Sequence, residues 1–387
     1  MHILLVNDDG PPSQHASPYV HSLVRELQSA GHVVSVCLPH TQRSWIGKAH
    51  IIGQTVKPTY YRPPPASEPA AGLIPPEGAG QQSQGTTHAR PSTTPGVEEW
   101  ILVDGTPASC VQIGLHHFFQ DRGPVDLVLS GPNFGRNTTA VFALSSGTLG
   151  GALEAAVCRR RAIALSYAFF DKNHDTDIIA AASRQSVKVV EALAKQWPAD
   201  GSVDLYSVNI PLLKELETGK VLFTEMLQNY WEDGSCFTEV EGSIDGEEED
   251  EERIREGEAE TAGDGDAGAA VNGQAHKHKH FKWSPRFSDV HRSVEQAPPG
   301  NDGWAVKEGH TRYVLIVSAR IEEPMPCFLI TNLFCYQRDA PESQLLSASD
   351  ASTREGVANV SIVPACPLVL GLCTPTILDD GLEAQRA

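Results

Sequence analysis

Ile3-Leu4-Leu5-Val6 opens the chain as an unbroken apolar run that stops at Asn7-Asp8-Asp9-Gly10. Four apolar residues closed by Asp and Gly predict a parallel strand, buried on both faces, that emerges into a loop. Val20, Leu23, Val24 and Leu27 then recur at helical spacing with Gly31 as a stop, and Val33 to Leu38 predicts the next strand. Strand, helix and strand in that order imply a right-handed crossover and a parallel pair. Further along, Trp100–Val103, Val125–Leu129, Ala162–Tyr167 and Val203–Val208 read as strands, with helices over Ala108–Phe119, Gly150–Val157 and Ile178–Trp197. Ser130 to Asn137 reads as a polar, glycine-rich loop, and Ser145-Ser146-Gly147-Thr148 opens the helix that follows. The alternation predicts an α/β fold, a doubly wound, mostly parallel, Rossmann-like sheet, with a less regular β-containing extension toward the C-terminus.

Two stretches break the pattern. Residues from about 60 to 97, with Pro63-Pro64-Pro65, Pro75-Pro76 and Gln81-Gln82, show no period and predict a disordered insertion. A second, acidic and glycine-rich, runs from about 242 to 275. It contains Gly263, Gly265 and Gly268 at dinucleotide-loop spacing, but no strand precedes them and the neighbouring carboxylates would repel a pyrophosphate. The net charge of -19 argues against a nucleic-acid polymer as partner. Ten acids against two arginines between Asp245 and Glu260 carry nearly half of that charge, so it describes the insertion and not the body of the chain. Eight cysteines without a C-x-x-C pair read as reduced thiols. With no signal-like start and no apolar run long enough for a membrane, the expectation is a cytoplasmic protein without a membrane partner.

The polar positions gather after strand ends: Asp8-Asp9, Arg43-Ser44, Ser130 to Asn137 and Ser145 to Thr148. In a doubly wound sheet those ends share one edge, so the loops can meet in one crevice. Two carboxylates with hydroxyl and amide oxygens make a hard set suited to Mg or Mn; an Asp-Gly turn is the other reading of the acidic pair. Ser145 to Thr148 offers either an anion cradle at a helix start or an ordinary N-cap. His40 reads as a surface group or a support behind the site, with an acid catalyst the other reading, and His276, His278 and His280 as a solvated edge interleaved with lysines rather than a transition-metal chelate. Trp283, Phe287 and Trp304 form either an aromatic floor for a nucleobase or an ordinary core or dimer contact.

Asn7-Asp8-Asp9-Gly10, Arg43-Ser44, Asp104-Gly105-Thr106-Pro107, the run from Ser130 to Asn137 and Ser146-Gly147-Thr148 occur in an order that resembles the SurE family of metal-dependent phosphatases. Val141 to Gly151 and Gly300 to Val306 resemble its fungal members in particular. The resemblance implies one divalent cation, Mg or Mn, held by Asp8, Asp9, the Ser44 hydroxyl and the Asn133 amide oxygen, with Asp8 and Asp9 catalytic. It implies a phosphate and substrate pocket lined by Asn7, Gly10, Asn137, Ser146, Gly147 and Thr148. The implied reaction is hydrolysis of nucleoside 5'- or 3'-monophosphates or other small phosphomonoesters. The alternatives are a broad-specificity acid phosphatase, or a nucleotide-binding regulatory protein without turnover. A homodimer or tetramer is the implied assembly. The likeness covers residues 1–311 and ends there, so residues 312–387 are expected to be an atypical, poorly ordered tail that loses or replaces the family's last strand.

Overall fold

The computed structural model describes residues 1–13, 15–64, 85–170, 175–214, 216, 219–232, 234–240 and 280–316. The expected alternation is present. β1 (His2–Val6), α1 (Val20–Ser29) and β2 (Val33–Pro39) form the first unit, followed by β3 (Pro58–Arg62), β4 (Thr86–His88), β5 (Trp100–Val103) and α2 (Pro107–His116). β6 (Leu127–Phe134), α3 (Thr139–Ser145), α4 (Gly147–Val157), β7 (Ala162–Ala168), α5 (Thr176–Lys195) and β8 (Leu205–Pro211) complete the wound body. The less regular part comprises β9 (Val221–Phe223), the antiparallel pair β10 (Phe237–Val240) and β11 (His280–Trp283), α6 (Phe287–Gln296), α7 (Asp302–Lys307) and β12 (Thr311–Ile316).

Ten strands share one sheet in the order β4-β3-β5-β2-β1-β6-β7-β8-β12-β9. The strands from β5 through β8 are parallel neighbours, β3 runs antiparallel to β5 and β4 to β3, and β12 runs antiparallel to β8 but parallel to β9. From β1 the chain winds outward through β2 and β5, then returns to the other side of β1 and winds through β6, β7 and β8. The reversal falls between β1 and β6, and open α/β sheets bind ligands outside the strand ends at such a switch point.

Successive side chains of a strand point to opposite faces, and β1 divides its apolar residues accordingly. Ile3 and Leu5 join the core under α1 and α5, whereas Leu4 and Val6 join the one under α2 and α4. With every residue of β1 buried, the strand lies sealed between two helical layers, which is why its sequence is continuous rather than alternating. Among the described residues no single helix is long and apolar enough to cross a membrane.

Three expectations need correction. Part of the supposed insertion between 60 and 97 is edge sheet: β3 pairs with β5, β4 pairs with β3, and Tyr61 is 4% exposed with its ring 5.3 Å from Trp100. Composition hid a strand that only its neighbours reveal. The run from Ser130 is no simple loop, since β6 continues through it to Phe134 with a register shift between Ser130 and Asn133. Finally, residues after Thr311 do not leave the fold at once, because β12 runs to Ile316 between β8 and β9. The position expected to lose or replace a strand carries one. The remaining expectations for 65–84, 241–279 and 317–387 lie outside the described residues.

Candidate functional site

Asp8 and Asp9 emerge just past β1 at the switch point, each only 2% exposed. The turn that holds them is closed by Asn7, whose Oδ1 accepts from Gly10 N at 2.9 Å while its Nδ2 donates to Gly10 O at 3.0 Å. Gly10 has a φ of 85°, which a residue with a Cβ rarely adopts. Asn7 and Gly10 therefore shape the acidic turn, which is the capped turn that the sequence offered as one reading of these four residues.

Each carboxylate is aimed by a donor from elsewhere. Thr148 Oγ1 donates to Asp8 Oδ1 at 2.6 Å, and the Phe134 amide donates to Asp9 Oδ2 at 2.6 Å. The loop after β2 closes from the other side, with Arg43 N donating to the Asp8 carbonyl at 2.7 Å. Ser44, the next residue, accepts from Gln42 Nε2 at 2.7 Å. Asn133, near the end of β6, donates Nδ2 to Gly135 O at 2.9 Å, which fixes the amide so that its oxygen is the opposite end.

The start of α4 touches Asp8 closely. A Cβ at Gly147 would lie 2.7 Å from Asp8 Cβ and 2.9 Å from its Oδ2, so no side chain fits there. Ser146 caps the helix, its hydroxyl accepting from Leu149 N at 3.1 Å. The N-cap reading holds, and the capped N-terminus brings Gly147 and Thr148 against Asp8.

Asn137 is anchored away from solvent: Nδ2 donates to Ser166 Oγ at 2.9 Å, its backbone N to Asn209 Oδ1 at 2.8 Å, and its carbonyl accepts from Arg312 Nη2 at 2.8 Å. Asp302 holds the following residues, accepting from Thr139 N at 2.8 Å and from Leu227 N at 2.9 Å. Arg312 and Asp302 stand 3.7 Å apart, both fully buried. Burial pushes the Asp302 carboxyl above its ordinary range, against the opposing pull of Arg312 and the backbone amides. Sequence reasoning missed Asp302, Arg312, Asn209, Ser166 and Gln42.

The donor set fits a hard divalent cation: two adjacent buried carboxylates, a hydroxyl at Ser44 and an amide oxygen at Asn133. Among the described residues no group of three or more His, Cys, Asp or Glu side chains is placed to hold a metal ion, so such a set depends on the hydroxyl and amide oxygens. His40 turns to β3, its Nε2 lying 2.6 Å from Thr59 Oγ1. Trp283 and Phe287 belong to one ring cluster, but Trp304 stands apart, edge-on to His310 at 6.3 Å.

Fold and site together define a doubly wound α/β protein that presents a hard-oxygen acidic turn and a helix start at its switch point. Residues 3–233 match the survival protein SurE family, and the chain belongs to it. Among curated relatives it is 39% identical over 240 residues to the Saccharomyces cerevisiae protein called probable tubulin--tyrosine ligase PBY1, covering 60% of this chain and 31% of that protein. It is 44% identical over 117 residues to the 5'-nucleotidase SurE of Ruegeria pomeroyi, covering 30% of this chain and 44% of that one. The chain thus spans less than half the length of these two relatives. A solved structure, the SurE protein from Aquifex aeolicus, is 20% identical with a TM-score of 0.49, covering 81% of this chain and 92% of that chain.

Proposed function

We propose that this protein is a divalent-metal-dependent phosphomonoesterase that releases phosphate from nucleoside 5'- or 3'-monophosphates. The observation that carries the reading is the placement of Asp8 and Asp9 at the β1/β6 switch point with the start of α4 against them. The relatives named 5'-nucleotidase SurE support the substrate class. The yeast name concerns a protein of which the match covers 31%.

A cation held by Asp8, Asp9, Ser44 Oγ and Asn133 Oδ1, with Mg or Mn the hard ions that suit them, supplies neutralisation of the phosphate dianion and a water of lowered pKa. The chain's own residues do the positioning. The backbone N–H groups of Gly147 and Thr148 bind equatorial phosphoryl oxygens at the positive end of α4. The Thr148 hydroxyl and the Phe134 amide hold the two carboxylates in fixed orientations. Asp8 or Asp9 takes the proton of the attacking water. Asn137, expected to line the phosphate pocket, is anchored by Ser166, Asn209 and Arg312, which fixes the loop before α3.

The test is phosphate release from a nucleoside monophosphate with added Mn, compared with EDTA and with Asp9→Asn. Undiminished hydrolysis in both controls defeats the reading. We place the protein in the cytoplasm by the same proposal, supported by Cys37 and Cys110, buried side by side as free thiols. Homodimer or tetramer assembly is the expected state, which light scattering on the purified chain reads.

A further inference from the structure

Five aromatic rings gather beside the phosphate-handling residues without taking part in them. Trp45, directly after Ser44, is the hub: its ring centre lies 4.8 Å from Trp283, 5.8 Å from Phe142, 5.8 Å from Phe287 and 6.4 Å from Trp231. The rings come from the loop after β2, from α3, from the segment before β10, from β11 and from the start of α6. Five separate pieces of chain converge on one spot. None of the five is sealed, whereas core rings such as Trp100 and Tyr167 are at most 1% exposed.

The cluster is continuous with the candidate site. Gly47 N donates to Ser145 O at 2.9 Å, which ties the Trp45 loop to the junction of α3 and α4. The Cβ position at Gly147 that nearly touches Asp8 is 3.0 Å from Ile46 Cγ2 on its other side. The start of α4 therefore separates the acidic pair from the ring-bearing turn by one residue's width. Trp45 also has a φ of 60°, a left-handed conformation that a residue with a Cβ keeps only where its surroundings over-determine it. What surrounds it is four rings.

Half-buried aromatic surface beside polar, phosphate-binding groups is what an amphipathic ligand fits. We propose that the cluster around Trp45 is the subsite for the aromatic base of a nucleotide whose phosphate is held at Asp8, Asp9 and the start of α4. The inference rests on the phosphomonoesterase reading and names the part of that site which selects the substrate. Ring faces stack on every base, so the subsite separates nucleotides from non-aromatic phosphoesters strongly and one base from another weakly.

The experiment measures binding of two non-hydrolysable phosphonates in the presence of Mn, one the analogue of a nucleoside 5'-monophosphate and the other of ribose 5-phosphate. The full chain is expected to bind the nucleoside analogue on the order of tenfold more tightly. Trp45→Leu or Phe287→Leu removes most of that ratio, while Trp45→Phe retains it. Equal affinities in the unaltered chain, or a ratio that neither Leu variant moves, overturns the subsite. Because the ratio in the unaltered chain is itself decisive, a variant that fails to fold does not rescue the idea. Phosphate release from both hydrolysable parents without any binding preference sinks the subsite and spares the enzyme; a binding preference without phosphate release spares the subsite and sinks the enzyme.

Discussion

Two buried acidic sites face each other across the loop that precedes α3, and they handle charge in opposite ways. Asp302 is fully buried with Arg312 3.7 Å away and backbone amides of Thr139, Leu227 and Gly303 donating to it. Its charge is answered by the chain itself. Asp8 and Asp9 are two like charges side by side, 2% exposed, that receive the neutral donors Thr148 Oγ1 and Phe134 N. A balanced pair gains nothing from a divalent ion, whereas adjacent carboxylates gain a great deal. One site is therefore architecture, while under the proposed function the other takes a ligand, although both are acids at the same end of the same sheet.

The largest expected effect breaks the balanced site. Arg312→Met leaves Asp302 buried without its guanidinium, and such a break costs about 3–5 kcal/mol. Urea denaturation is expected to show that loss, and phosphate release to fall with it as the loop at 137–139 loosens. Adding Asp302→Asn to the same chain removes the stranded charge and returns much of the stability. If Arg312→Met unfolds at the parent's midpoint, the pair is not structural and the contrast fails.

Asp9→Asn acts on the other side of the comparison. Loss of cation-based stabilisation is worth several kcal/mol, so phosphate release is expected to fall on the order of 1,000-fold. Stability moves the opposite way from the Arg312 variant: one of two crowded like charges is gone, and the melting temperature holds or rises. A variant that lost stability as well as activity would mean that Asp9 braces the fold, as Asp302 does.

The contrast also explains what could be read from the chain in advance. Asp8 and Asp9 were legible because strand, acids and turn are contiguous, and Ser146 to Thr148 because a helix start is local. β7, α5 and β8 were legible from period alone. Asp302 and Arg312 were not, since their meaning lies in Thr139 and Asn137, more than 160 residues away in the chain. The edge strand β3 hid for a related reason: its Tyr61 is recognisable as core only once Trp100 packs on it. The short helix α3 escaped because Thr139, with a φ of 67°, enters it from a backbone state no pattern foretells. Local chemistry is written in order, while long-range compensation is written in pieces that look like misplaced charges or loop composition.

A third way of burying a titratable group sharpens the same point at intermediate size. His21 on α1 is 8% exposed, its Nε2 has no hydrogen-bond partner among the described residues, and burial, with Arg25 adding to it, pulls its pKa from 6.5 down to about 4. It stays neutral in the native state instead of being paired. Below pH 6.5 the unfolded chain takes up a proton that the folded chain refuses, so stability falls as pH drops and levels off below about 4. The full loss is about 3 kcal/mol. Urea midpoints across that window should separate the parent from His21→Leu, whose curve lacks this component. Parallel curves would mean that His21 is protonated in the fold.

The smallest effect tests whether the donors at the acidic pair aim the carboxylates or brace the fold. Thr148→Val keeps the shape of the side chain and removes only the hydroxyl that reaches Asp8 Oδ1 at 2.6 Å. If the bond orients a metal ligand, Mn affinity falls about 10- to 100-fold, as losses of such outer partners do. Thr148→Ser, which keeps the hydroxyl, binds as the parent does. Folding stability changes by about 1 kcal/mol, the ordinary worth of one hydrogen bond. Thermal shifts measured against Mn concentration read both quantities, the ion-free melting point giving stability and the concentration dependence giving affinity. A fall in melting point with unchanged Mn dependence would move Thr148 to the structural side, alongside the amides that hold Asp302, and would leave Asp8 to bind its ion without guidance from α4.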